Sequence, residues 1–147
     1  MSFKFKLEAL RRYRSFQEDL VQRELAEAQR DRDQEIDRLQ SLMDKRSRAE
    51  NDLRRQQESR THGPQLALYD TYIQRLAGEI SEQQMRVKQA EAKCSEKMQA
   101  LLEAMQNRKS IDKLKEKDLR AYMEALNQTE QKFLNEIAIN QFTRNSI

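Results

Sequence analysis

Apolar residues in the second half of the chain recur at alternating steps of four and three. Tyr69, Ile73, Leu76, Ile80, Gln83, Val87, Ala90, Cys94, Lys97, Leu101, Ala104, Arg108 and Ile111 keep that alternation without a slip. Such spacing puts one stripe along one side of a helix and marks the a and d positions of a coiled-coil seam. Leu119, Tyr122, Leu126, Phe133 and Ile137 carry an apolar face further on. The first half repeats the pattern less cleanly. Leu25, Ala28, Leu39, Leu42, Ala49 and Leu53 fit one seam, with Arg32, Glu35 and Arg46 also on it. Polar seam positions weaken a coiled coil but can fix its register. Leu7, Leu10, Gln17 and Val21 fit a second seam. The two successive steps of four, from Gln17 to Val21 to Leu25, read as a stutter that locally unwinds the supercoil.

Between the halves lies Thr61-His62-Gly63-Pro64, which holds the only proline and one of the two glycines. Glycine can take the left-handed conformation that ends a helix, and proline suits the first position of the next. The pattern therefore predicts an all-α fold, a long two-helix antiparallel coiled-coil hairpin. Its first helix covers about 3–60, its turn 61–64 and its second helix about 65–137, and a tail at 138–147 frays. Folding about residue 63 places residue i opposite roughly 126 minus i, because both helices rise equally per residue. Leu53 then faces Ile73, Leu39 faces Val87, Ala28 faces Met98, and Leu10 faces the region of Glu116.

Composition sharpens this. With 36% charged and 37% hydrophobic residues and no tryptophan, the chain suits thin helical seams better than a thick core, so a single elongated rod is expected. The lone Cys94 rules out an internal disulfide framework and fits a reducing compartment; at an a position it reads as a small buried apolar group. No run of about 18 apolar residues exists to span a bilayer. The opening Met-Ser-Phe-Lys-Phe-Lys lacks the apolar stretch of a secretory signal. A cytoplasmic protein is the expectation. No Gly-rich phosphate loop, no metal-ligand spacing and no nucleophile with a base in reach can be assembled. The only histidine, His62, reads as a polar loop residue. The chain is read as a non-enzyme without cofactor or metal.

Charge is spread, with 28 basic and 25 acidic residues giving +3, and most of it reads as a solvated face laced with ion pairs. The N-terminus departs from this. Phe3, Phe5, Leu7, Leu10, Tyr13 and Phe16 stand among Lys4, Lys6, Arg11, Arg12 and Arg14, with Glu8 as counter-charge. These groups can seal the hairpin's open end, form a basic docking end, or both. The register sets them beside Arg108, Lys109, Lys113, Lys115, Lys117 and Arg120, so that end is expected to be positive. Beyond about residue 125 the first arm supplies no partner. Phe133, Ile137, Ile139 and Phe142 become exposed apolar groups of the kind that mark a partner or self-association site.

These residues resemble the flagellar export protein FliJ family and, more broadly, the small stalk proteins of type III secretion. The opening F-K-F-K-L-E-A-L-R-R-Y-R is similar to that family's alternation of aromatic and basic residues before a leucine. Glu18 and L-A-E-A at Leu25–Ala28 follow it. After the turn, L-A-L-Y-D-T-Y-I-Q-R-L-A-G-E-I-S-E-Q-Q is similar to the family's segment with Tyr-Ile and a leucine three residues later. The resemblance implies a stalk that inserts in the hexameric ring of the flagellar export ATPase, promotes its assembly and activity, bridges it to the export-gate membrane protein and escorts export chaperones. It would act as a monomer, peripheral to the inner membrane at the flagellar base. The ring-binding end would comprise Phe3, Phe5, Lys6, Leu7, Arg11, Arg12, Arg14, Lys113, Lys115, Lys117 and Arg120. The gate-binding surface would map to Tyr72, Leu76, Glu79 and Gln83.

Three rival readings stand beside this one, and the last is set aside on charge. The equivalent stalk of a virulence injectisome shares these features. A structural scaffold could dimerise through Leu126 to Phe142. A nucleic-acid-binding rod needs a continuous positive stripe, and acidic residues interrupt every stripe except at the open end, so no nucleic-acid partner is expected.

Overall fold

The computed structural model describes residues 2–60 and 63–146. It contains two helices, α1 (Glu8–Glu58) and α2 (Gly63–Asn145), and no strand among the described residues. The helices pair antiparallel as a helical hairpin. Cross-helix bonds join Gln83 to Glu35, Lys97 to Glu24, Arg108 to Glu18 and Lys115 to Glu8, so partners on α2 advance as those on α1 retreat.

The chain divides into two compact units. One contains residues 20–102; the other joins residues 1–19 to 103–147. In the first, the α2 seam is as the spacing predicts: Leu76, Ile80, Gln83, Val87 and Cys94 are buried, and Tyr69, Ile73, Ala90, Lys97 and Leu101 are half-buried. Against them α1 turns Leu25, Ala28 and Ala49, all buried, with Leu39, Leu42 and Leu53 half-buried. Alanine on both helices thins this seam. In the second unit, Phe5 and Ile111 are the buried apolar groups. The Phe3 ring meets that of Tyr122, with centroids 5.6 Å apart and planes tilted by 48°.

Four expectations are corrected. The left-handed residue at the reversal is Arg60, at φ 56°, and Gly63 has no positive φ. Gly63 instead opens α2, with Pro64 behind it where a missing N–H costs nothing. Ser59 N–H still bonds the Arg55 carbonyl and Arg60 N–H that of Gln57, so α1 closes its last turn before the chain reverses. Thr61 and His62 lie outside the described residues, and the expectation for His62 with them.

The register shifts as a consequence. Reversal between Glu58 and Gly63 is centred earlier than residue 63. In the 20–102 unit, Gln83 reaches Glu35 where Met43 was expected, and Lys97 reaches Glu24 where Gln29 was expected. Ala49 lies in one cleft with Tyr69 and Tyr72, where Ala77 was expected. In the other unit, Arg108 meets Glu18 as the register predicts, while Lys115 meets Glu8, three residues from the expected Arg11.

The stutter is absent. Leu7 and Leu10 face outward, at 41% and 36% exposure. The inward positions of α1 are Arg11, Arg14, Glu18, Val21, Leu25 and Ala28, in unbroken steps of three and four. The last correction concerns helix ends. α1 starts at Glu8, not at residue 3, and α2 continues through 138–145, where fraying was expected.

Candidate functional site

Unit 20–102 carries the proposed gate-binding positions. Seam spacing sends Leu76 and Gln83 inward, to 2% and 5% exposure. The Gln83 amide donates to the Glu35 backbone carbonyl at 2.9 Å and also to the Glu35 carboxylate. A buried amide left without partners costs roughly 1–3 kcal/mol, so this pair specifies one alignment of the helices. Tyr72 and Glu79 flank the seam and reach the surface: Tyr72 is 37% exposed, and Glu79 lies 3.7 Å from Arg75. The Arg75 guanidinium stands 5.5 Å from the centroid of the Tyr72 ring, within cation–π range. Leu68, one turn before Tyr72, is 71% exposed. The four positions thus separate into a surface pair and a buried pair.

The other unit carries the proposed ring-binding end. Several of its cations face inward. Arg11 donates to Asp112 at 3.0 Å and to Glu8 at 3.1 Å. Arg108 donates to Glu18 and, at 2.9 Å, to Asp112. Lys115 reaches Glu8 at 3.3 Å. Partial desolvation raises the Glu8 carboxyl, but the hydrogen bonds and charges of Lys115 and Arg11 outweigh it and hold the group below the usual carboxylate value. Hydrogen bonding to Asp112 and Glu8 raises Arg11, and bonding to Glu18 and Asp112 raises Arg108. The expected positive end is therefore partly neutralised from within by Glu8, Glu18 and Asp112.

What remains outward is Lys6, Arg12, Lys113, Lys117 and Arg120, all exposed, while Arg14 is half-buried on the inward side. Among the described residues Arg12 and Arg120 make only long pairs, to Glu8 at 3.9 Å and Glu116 at 4.0 Å. Phe3 and Phe5 pack inward and Leu7 does not. This unit holds thirteen basic and ten acidic residues, while the 20–102 unit holds fifteen of each, so the whole +3 excess sits here.

Every described residue after Tyr122 is exposed. Phe133, Leu134, Ile139 and Phe142 are 60–74% exposed and Ile137 is 37%. Helix α2 holds these side chains at fixed spacing, with no other element over them.

Glu18 escaped the sequence reading as a site residue. The signal was present: extending the clean alternation at Leu25 and Ala28 backward lands on Val21, Glu18, Arg14 and Arg11. Among the described residues, no group of three or more His, Cys, Asp or Glu side chains is placed to hold a metal ion, and no helix is long and apolar enough to cross a membrane.

The family model described as the flagellar FliJ protein matches residues 3–146. No curated protein and no solved structure matches the chain.

Proposed function

The chain belongs to the flagellar FliJ protein family, and from that premise we propose that it is the central stalk of the flagellar export ATPase. The family places it with flagellar type III export. The finer reading is a non-enzymatic monomer that enters the hexameric ATPase ring through the unit formed by 1–19 and 103–147. It links the ring to the export-gate membrane protein through the 20–102 unit and escorts export chaperones. It works in the cytoplasm, peripheral to the inner membrane at the flagellar base.

The observation that carries the ring-binding half is the uncovered end of α2. A ring lumen must grip an axial helix by its side chains, and residues 123–146 offer apolar groups with no cover in their own unit. Exposed apolar surface of this kind is what partner sites are made of. Lys6, Arg12, Lys113, Lys117 and Arg120 add outward positive charge in the same unit. For the gate, Tyr72 and Glu79 make the contact, and Leu76 and Gln83 act through the seam that holds their helix.

The test is direct. Adding the protein to purified cognate export ATPase raises its rate of ATP hydrolysis and shifts the ATPase from monomers to rings in light scattering. No change in either measurement refutes the stalk reading. One observation favours a second reading: the apolar groups Phe133, Ile137 and Phe142 could pair with those of a second copy. Light scattering on the intact chain separates the two, since a dimer that vanishes on truncation after Ala125 identifies a scaffold.

A further inference from the structure

The start of α1 turns its charged side inward. Among the described residues Glu18 is the one buried charged side chain, while Leu10, Tyr13 and Phe16 of the same stretch are exposed. A buried carboxylate is tolerated only with a close partner, and Arg108 of α2 supplies it. Arg11 and Glu8 add their bonds to Asp112 and Lys115. A helix that packs on one side ordinarily buries its apolar stripe there; this stretch does the reverse. Two seams in fact run through it. The observed one passes through Arg11, Arg14, Glu18 and Val21. The other, through Leu10, Arg14, Gln17 and Val21, keeps the same alternation of three and four. They share Arg14 and Val21 and differ by one residue at the other two positions. Averaged over the seam this is half a residue, a rotation of about 50° at 3.6 residues per turn. Gln17 is already half-buried, and Leu10, at 36%, is barely exposed.

We infer that residues 8–19 are a two-position element. In one position the ion-paired face meets α2; in the other the helix is rotated, Leu10 and Gln17 meet α2, and Arg11 and Glu18 turn outward. The second position exchanges a buried carboxylate and a half-buried guanidinium for an amide and a leucine, and it gives up the Glu18–Arg108 and Arg11–Asp112 pairs. Beyond Val21 nothing has to move, because the step of four from Gln17 to Val21 and the next to Leu25 absorb the turn as a stutter. Competition for the charges selects between the positions. Salt screens the pairs of the first and leaves leucine burial intact. A partner whose carboxylates take Arg11 or Lys115 favours the second by its differential affinity for the two.

Pulsed electron spin resonance tests this on the full chain with Cys94 replaced by alanine, with spin labels at positions 9 and 110 or at 15 and 110. Ala9, Ser15 and Ser110 are all exposed. Positions 9 and 15 lie on opposite flanks of the line through Arg14, so the rotation shortens the first distance and lengthens the second, by about 4 Å each at the side-chain radius of a helix. Glu18→Lys sets two cations against each other in the seam and should produce both shifts. Adding Arg108→Glu should restore the pair and reverse them; shifts that persist in the double variant overturn the inference. So does either of two other patterns: both distances lengthening or blurring together, which means detachment, or neither moving, which means a single fixed face. If circular dichroism shows that Glu18→Lys loses helix, the natural sequence in 1 M salt, where pairs are screened, is read by the same patterns. Opposite shifts then support the rotation, and joint lengthening or no change overturns it.

Discussion

A single turn of α2 holds the contrast on which the site depends. Tyr72 and Leu76 are four residues apart, yet one is on the surface and the other is 2% exposed. Leu76→Ala removes a filled seam position and should cost about 2–4 kcal/mol in urea unfolding. Tyr72→Ala should leave stability within about 0.5 kcal/mol while abolishing gate binding. If both variants unfold with the natural midpoint, Leu76 does not carry the packing assigned to it. A second residue-scale expectation concerns Gly78. It lies in the interior of α2 with no atom within 4 Å of where a Cβ would stand. Gly78→Ala should therefore stabilise the protein by about 0.5–1 kcal/mol, by removing backbone freedom from the unfolded chain. The same variant should bind the gate protein as the natural chain does, since an alanine there meets nothing.

Along the helices, the seam changes character from one unit to the other. In the 20–102 unit it is mainly apolar, built on Leu25, Leu76, Ile80 and Val87; between residues 8–18 and 108–115 the ion-paired Glu8, Arg11, Glu18, Arg108, Asp112 and Lys115 surround a single buried apolar group, Ile111. Partly exposed ion pairs are screened by salt. Glu8 adds a pH limb. A carboxyl held below its ordinary value near 4.5 contributes stability in full above that value and loses it as pH falls below it. The elevated Arg11 and Arg108 lose nothing until far above neutrality. Spin labels at positions 10 and 113, with Cys94 replaced by alanine, should show one narrow distance at pH 7 and low salt. That distance should broaden below pH 4 or in 1 M salt, and an unchanged distribution would show that apolar packing suffices there. This polar seam also marks where the sequence stopped being legible. Leucines taken alone lead to Leu7 and Leu10, and from there only a stutter reaches Leu25. Periodicity alone, carried back through charged residues, leads to Arg11 and Glu18 without one. The α2 seam was readable because hydrophobicity and spacing agree at nearly every position. The register was not, because it depends on which residue turns left-handed, and Arg60 does so where composition pointed to Gly63.

For the molecule as a whole, the charge and the uncovered apolar groups belong to the same unit. The +3 excess and the bare end of α2 both lie in the unit formed by 1–19 and 103–147, whereas the 20–102 unit is neutral and carries the Tyr72 cleft. On the proposed reading the ring surface and the gate surface belong to different units, so each can be altered alone. Truncation after Ala125 exploits this. It removes Phe133, Ile137 and Phe142 but leaves Tyr122, Ile111 and every ion pair of the polar seam, so the remaining helices should keep their pairing. Because each buried aromatic or aliphatic anchor is worth roughly 1.5–3 kcal/mol when taken from water, loss of three should abolish stimulation of the export ATPase at micromolar protein. Binding to the gate protein through Tyr72 should persist. Added salt should weaken the full-length chain's grip on the ring only modestly, because apolar burial outlasts screening. If the truncated chain stimulates the ATPase as well as the intact one, the ring is held by residues 3–14 and 113–120 alone. The exposed groups beyond Tyr122 would then be serving a different partner.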